Sequence, residues 1–122
     1  MAGKINGGRY VLAVKDLDRS AGFYKDKLGF RTLWADDGWH FLARDNIRIM
    51  IGECPDDVSA RETGCHSYFG YFDTENIDDL YAEYLSKGIE VVSKLEDRPW
   101  GQREFGIRTI DGHRITFGQA AS

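Results

Sequence analysis

Apolar and polar positions along this chain run twice through the same order. A short alternating segment, Tyr10 to Val14, precedes DLDRSAGFYKDKLGF at residues 16–30, and a second apolar run, Ser67 to Phe72, precedes TENIDDLYAEYLSKGI at residues 74–89. Both longer segments carry apolar residues at helical spacing behind capping residues, Asp16 or Asp18 in the first and Thr74 or Asn76 in the second. Both end in Gly and a large apolar residue, Gly29-Phe30 and Gly88-Ile89, which stand 59 positions apart. Gly just past a last helical turn supplies the left-handed conformation that closes it. A strand-like segment follows each helix, Phe30 to Trp34 and Ile89 to Val92. Then comes a hairpin, residues 39–53 and residues 105–119, turning at Asp45-Asn46 and at Asp111-Gly112. The hairpins are offset by 66, so the second half carries seven more residues, around Lys94 to Glu104. The pattern is β-α-β-β-β, repeated.

The join between the repeats is the polar, aperiodic stretch 54–64, which divides the chain into half-modules 1–53 and 65–122. Neither half, at about 60 residues, buries much core alone, so a single domain over residues 1–122 is expected. Strand alternation sorts the faces. Ile47, Ile49 and Ile51 share one face and Arg48, Met50 and Gly52 the other; Ile115 and Phe117 oppose Arg114, Thr116 and Gly118; Tyr10, Leu12 and Val14 oppose Arg9, Val11 and Ala13. The first set in each strand suits a helix-covered core. The second set, mixed in polarity, belongs to solvent or to a cavity wall.

The duplicated pattern resembles the vicinal oxygen chelate superfamily, the group of glyoxalase I, the bleomycin-resistance proteins and the extradiol dioxygenases. Val14-Lys-Asp-Leu-Asp-Arg-Ser20, followed by Phe23-Tyr24 and Leu28-Gly29-Phe30, carries the likeness, as does Ile110-Asp-Gly-His-Arg-Ile115, which has Ile where the family's turn usually has Pro. The resemblance implies an α+β fold, two βαβββ modules forming a U-shaped mixed sheet around a concave groove that a dimer partner often completes. Metal-dependent members place one ligand in each of four strands. By the motifs these positions fall here on Arg9, Met50, Ser67 and Thr116, none a usual ligand and one a cation, so neither metal nor cofactor is expected. His113 is expected at the surface of a turn, and His40, with cavity lining or carboxylate pairing as its alternatives, is expected in a neutral structural role.

Within the family the chain looks most like the bleomycin-resistance type. Trp34-Ala-Asp-Asp-Gly-Trp39 resembles that group's aromatic hairpin, and Arg98-Pro-Trp-Gly-Gln-Arg-Glu-Phe105 its Trp-Gly loop. The likeness implies antibiotic resistance by non-catalytic binding of a planar, often cationic ligand. Composition agrees that rings are in excess: aromatic residues are 13% of the chain, more than a small core absorbs. Trp34, Trp39, Phe69, Tyr71 and Trp100 are the candidates for an aromatic groove, with Phe69 and Tyr71 read on the face of Ser67. Glu104 and its acidic neighbours would attract a cation, while Arg9, Arg48 and Arg114 on the same parity would suit an anion. The alternative function is a glyoxalase-like, metal-dependent lyase, isomerase or dioxygenase.

Charge and hydropathy narrow the partners further. The net charge is −4 with both signs scattered, which argues against nucleic acid. No apolar run approaches a membrane span and the start lacks a signal-peptide stretch, so a cytoplasmic protein with reduced Cys54 and Cys65 is expected. An open sheet leaves edges and a ring-lined face exposed, so a homodimer is expected.

Overall fold

The computed structural model describes residues 2–121. The first half folds as β1 (Tyr10–Val14), α1 (Leu17–Asp26), β2 (Arg31–Ala35), β3 (Trp39–Arg44) and β4 (Ile47–Glu53). Two short 3-10 turns, Ala60–Glu62 and Gly64–Ser67, lead to β5 (Tyr68–Asp73), α2 (Ile77–Ser86), β6 (Glu90–Asp97), β7 (Gln102–Arg108) and β8 (Arg114–Ala120). The strands form two four-stranded sheets, ordered β1-β4-β3-β2 and β5-β8-β7-β6. In each, the strand before the helix pairs in parallel with the last strand of its module and the other pairs are antiparallel. This is the expected α+β fold of two βαβββ modules, its mixed sheet divided into two. No helix among the described residues is long and apolar enough to cross a membrane.

The same local chemistry sets both helices. Asp16 Oδ1 accepts from the Arg19 amide at 3.1 Å, while Asn76 caps α2 through a left-handed backbone, φ 54°, without a side-chain bond. The first helical amide of each is taken by the end of its own module's last strand: Leu17 N donates to Glu53 Oε2 and Ile77 N to Gln119 Oε1, both at 2.9 Å. Each helix closes on a glycine in left-handed conformation, Gly29 at φ 79° and Gly88 at φ 71°.

One apolar cluster draws on both halves. Leu12, Leu42, Ile49 and Ile51 beneath α1 are continuous with Phe72, Phe105, Ile107, Ile115 and Phe117 beneath α2. Tyr10 reaches across the halves to Phe69 and Phe72, with ring centroids 5.6 and 5.4 Å away. The helix ends exchange lysines: Lys27 Nζ donates to the Lys87 carbonyl at 3.1 Å and Lys87 Nζ to the Asp26 carbonyl at 2.9 Å. Arg44 donates to the Leu28 carbonyl at 2.7 Å and pairs with Glu83, and the buried Ser20 hydroxyl lies 2.8 Å from both Asp111 carboxylate oxygens.

Two expectations change. The seven extra residues of the second half lengthen the β6–β7 hairpin, so β6 runs on to Asp97. His113 is buried, not exposed at a turn: its ring packs edge-on to Phe69 at 5.8 Å, and burial pushes its pKa down to about 4. His40 takes a structural role, bonding Thr32 Oγ1 at 2.7 Å on the helix side of its sheet.

Candidate functional site

Each helix covers one face of its sheet and leaves the other open. On the first sheet the register places Trp39 opposite Gly52 and Phe41 opposite Met50, on the face away from Leu42 and Ile49. An irregularity between Thr32 and Trp34 brings Trp34 onto the same face, its ring centroid 5.1 Å from that of Phe41. Trp39 lies near-perpendicular to Phe41, with ring centroids 6.4 Å apart. A Cβ on Gly52 would stand 3.0 Å from the Trp39 ring, so glycine lets the indole lie close over β4. Beside it opens a pocket of ≈ 450 Å³ lined by Val11, Ala13, Trp39, Gly52, Glu53 and Cys54. Val11, Trp34 and Trp39 are all exposed.

The second sheet presents a different surface. Tyr71 on β5 lies opposite Thr116, Glu104 on β7 opposite Gly118, and Gly106 opposite Thr116. The Tyr71 ring reaches over Gly118, where any Cβ would collide with its hydroxyl. That path delivers the hydroxyl to Glu104, to which it donates at 2.7 Å. Trp100, in the turn after β6, donates its indole N–H to the same Glu104 Oε2 at 3.0 Å. Glu104 is 8% exposed, whereas Tyr71 and Trp100 are 43% and 65% exposed, so a nearly buried carboxylate holds two open rings. Burial, reinforced by hydrogen bonding to Glu104 and by its charge, pushes the Tyr71 pKa up to about 12; the phenol stays a donor.

The residues singled out from the sequence therefore separate. Trp34, Trp39 and Met50 lie on the first open face, and Arg48 shares their parity and is exposed. Tyr71, Trp100, Glu104 and Thr116 lie on the second. Among the described residues no aromatic pair joins the two sets. Two candidates are displaced into structural roles. Phe69 does not share the face of Tyr71: an irregularity between Tyr68 and Gly70 offsets the alternation, and the ring packs against Tyr10, Phe72 and His113. Ser67 is buried at the end of a 3-10 turn, donating to the Gly64 carbonyl and accepting from Arg114 Nε, both at 2.7 Å.

Arg9 and Arg48 immediately precede the paired Tyr10 and Ile49 of β1 and β4 and so lie side by side, while Arg114 stands on the second sheet. The Arg114 guanidinium lies 3.8 Å from the centroid of the Tyr68 ring and clasps the Gly64–Ser67 turn, and Arg9 is exposed before β1 begins. Phe41 and Gln102 join the candidates on these faces, and Gly52 and Gly118, already on the open parity, gain the role of leaving room for a ring. The parity of Trp39 and the matching positions of the two glycines, 66 apart, were the available signals. The metal positions of the resemblance do not fit a divalent ion. Met50 and Thr116 offer no imidazole or carboxylate, the Ser67 hydroxyl is engaged, and Arg9 is a cation.

Residues 8–117 match the family model described as Glyoxalase/Bleomycin resistance protein/Dioxygenase superfamily. The chain belongs to that superfamily. The superfamily match spans both modules and both open faces. The chain is 32% identical to a bleomycin resistance protein of Geobacillus stearothermophilus, the match covering 89% of this chain and 92% of the relative. Among solved structures it resembles the bleomycin resistance determinant encoded on the transposon Tn5, at TM-score 0.77 and 22% identity over 95% of this chain and 98% of that one. A glyoxalase/bleomycin resistance protein/dioxygenase from Alicyclobacillus acidocaldarius superposes at TM-score 0.81 and 18% identity, over 100% and 96% of the two chains. These structural likenesses establish the superfamily fold and nothing finer.

Proposed function

We propose that this member of the superfamily binds a small planar aromatic ligand against its open sheet faces and sequesters it unaltered, as bleomycin-type resistance requires. The observation that carries the reading is the placement of Trp34, Trp39, Tyr71 and Trp100 on faces that no helix covers, all of them exposed. Exposed rings on a rigid sheet offer stacking surface at little entropic cost, and flat ligands gain from offset or edge contact with them. The absence of carboxylate or imidazole at Met50 and Thr116 supports binding over metal-assisted chemistry. The 32% identical relative named a bleomycin resistance protein makes bleomycin the first ligand to test.

The functional unit in this reading is a homodimer. The two aromatic sets lie on separate faces of one chain, so a second copy would supply the opposing wall of each groove and cover apolar surface that a monomer leaves to water. The protein acts inside the cell, where such a drug is met. Titration with bleomycin, followed by tryptophan quenching and calorimetry, should give saturable binding in the micromolar range or tighter, and the ligand should be recovered intact by mass spectrometry. Conversion of the ligand, or activity that appears on adding a divalent metal, would favour the glyoxalase-like lyase, isomerase or dioxygenase alternative. Light scattering should give twice the 13.9 kDa chain mass.

A further inference from the structure

We infer that Glu104 is a positioning residue: one oxygen of its nearly buried carboxylate fixes both Tyr71 and Trp100 and so prearranges the aromatic surface of the second sheet. This rests on the sequestration reading for its consequence in binding, but its physical content can be read without any ligand.

Three features of the fold make the arrangement specific. Trp100 sits in the turn between β6 and β7, with Gly101 in a left-handed conformation at φ 86° and the indole largely in water. Its ring makes no aromatic contact with another ring among the described residues, so the 3.0 Å bond from Nε1 to Glu104 Oε2 is the specific side-chain tie that orients it. Tyr71 comes from a different strand, β5, and arrives at the same oxygen at 2.7 Å because Gly118 leaves its path clear. Glu104 itself emerges from the middle sheet strand β7, paired on both sides, so the acceptor is held by the rigid part of the module. Gln102 Oε1, two residues earlier, takes a second, longer bond from Tyr71 at 3.3 Å.

The charges around this group are Glu96, opposite Glu104 on β6 and bonded to Arg98, and Asp73 on β5. Glu96 is itself paired with a cation, and Asp73 acts on the Tyr71 phenol. A cation would relieve this group only by displacing a donor or adding to it. The two N–H and O–H donors already present are what keep the carboxylate satisfied as it leaves water. Bonds to a charged acceptor are stronger than neutral ones, so this bond favours one orientation of the exposed indole.

The test uses the full chain with Trp34→Phe and Trp39→Phe, which leaves Trp100 as the sole tryptophan. In that background, time-resolved anisotropy and acrylamide quenching report the freedom of the indole without ligand. Glu104→Ala should enlarge the fast local motion and raise the quenching constant about two-fold or more. Glu104→Gln, whose carbonyl can still accept both donors, should return both readouts to near the parent values. Tyr71→Phe, which removes one donor and keeps the carboxylate, should leave Trp100 restrained, and it serves as the variant to read if Glu104→Ala does not fold.

Identical anisotropy in the Ala, Gln and parent proteins would overturn the inference, as would release of Trp100 by Tyr71→Phe. With all three tryptophans present, bleomycin affinity should fall about five- to ten-fold in Glu104→Ala and recover in Glu104→Gln. If bleomycin does not bind the parent protein, the sequestration reading falls while the ligand-free measurement still decides the role of Glu104.

Discussion

Replacing Gly118 by Ala separates the two effects that a glycine can have in a strand. The atoms a Cβ would meet all belong to the Tyr71 side chain, led by its hydroxyl, and Gly118 is not among the glycines held in left-handed conformation. Ala is therefore compatible with the backbone, and by restricting the unfolded chain it should stabilise by about 0.4–1 kcal/mol. Against this, Tyr71 must swing away and give up its 2.7 Å bond to Glu104. A hydrogen bond to a charged group contributes about 1.5–3 kcal/mol. Because Tyr71 is 43% exposed, water replaces part of what is lost and the lower end applies.

The two terms leave Gly118→Ala destabilising by about 1 kcal/mol. In a Tyr71→Ala background the same change meets no ring, and it should stabilise by about 0.4–1 kcal/mol. The coupling between the sites is then about 1.5–2 kcal/mol, inside the range measured for residues in contact. Urea unfolding of the four proteins of the cycle, with slopes compared as well as midpoints, measures it. An equal effect of Gly118→Ala in both backgrounds would refute the reasoning, because it would place the obstruction in the backbone instead of in Tyr71.

Other outcomes follow from the same geometry. Phe105 is fully buried and stacked on Phe117 at 5.0 Å, so Phe105→Ala should cost about 3–5 kcal/mol by thermal or urea unfolding; a loss under about 1 kcal/mol would mean the core beneath α2 is not tightly packed. His113 is held neutral by burial, its pKa lowered from 6.5 to about 4, so the unfolded chain binds more protons between those values and stability should fall as pH drops through that window, by up to about 3 kcal/mol. His113→Gln should flatten that slope. Asp111, whose pKa burial raises, pushes the other way in both proteins, so the difference between the two curves isolates His113, and parallel curves would exclude the effect. Arg44 holds the Glu83 pKa below its usual value of 4.5, so the pair contributes at neutral pH and is lost as pH falls through the lowered pKa. Arg44→Met should cost about 1 kcal/mol at pH 7, modest because both side chains are partly exposed, with the deficit shrinking as pH falls through the lowered Glu83 pKa.

The repeat, the two helices with their glycine closures, the parallel and antiparallel strands and the inward isoleucines were all legible because each rests on local chemistry or on strict alternation. What alternation misplaced was Phe69, and the cause is specific. An extra residue between Tyr68 and Gly70 shifts the parity at the start of β5, so one side of that irregularity is core and the other is open face. Ser67 fell outside the strand for a related reason, since the preceding 3-10 turn runs through it. His113 was misread because a turn residue is ordinarily solvated, whereas this turn is pressed between the halves, with Ser20 holding Asp111 and Phe69 covering the imidazole. Those are contacts between residues far apart in sequence, and no window along the chain contains them.

The offset of 66 relates more than the strands. Glu53 and Gln119 occupy matching positions, and each accepts from the first amide of its own module's helix. Gly52 and Gly118 also match, and each has an aromatic ring lying over it. The rings do not correspond: Trp39 comes from the neighbouring antiparallel strand β3, Tyr71 from the neighbouring parallel strand β5. The repeat thus reproduces the open space and fills it from opposite sides of the last strand. On the first sheet the filling ring continues into an aromatic cluster with Phe41 and Trp34; on the second it ends on a carboxylate shared with Trp100. A ligand held between two such unlike surfaces would be oriented as well as bound, its apolar face toward Trp39 and its polar edge toward the Glu104 cluster. Truncating Trp39 should therefore weaken all flat ligands alike, while truncating Glu104 should weaken most those whose edge carries hydrogen-bonding groups. That contrast is measurable by comparing bleomycin with an apolar aromatic probe of similar area on the Trp39→Ala and Glu104→Ala proteins.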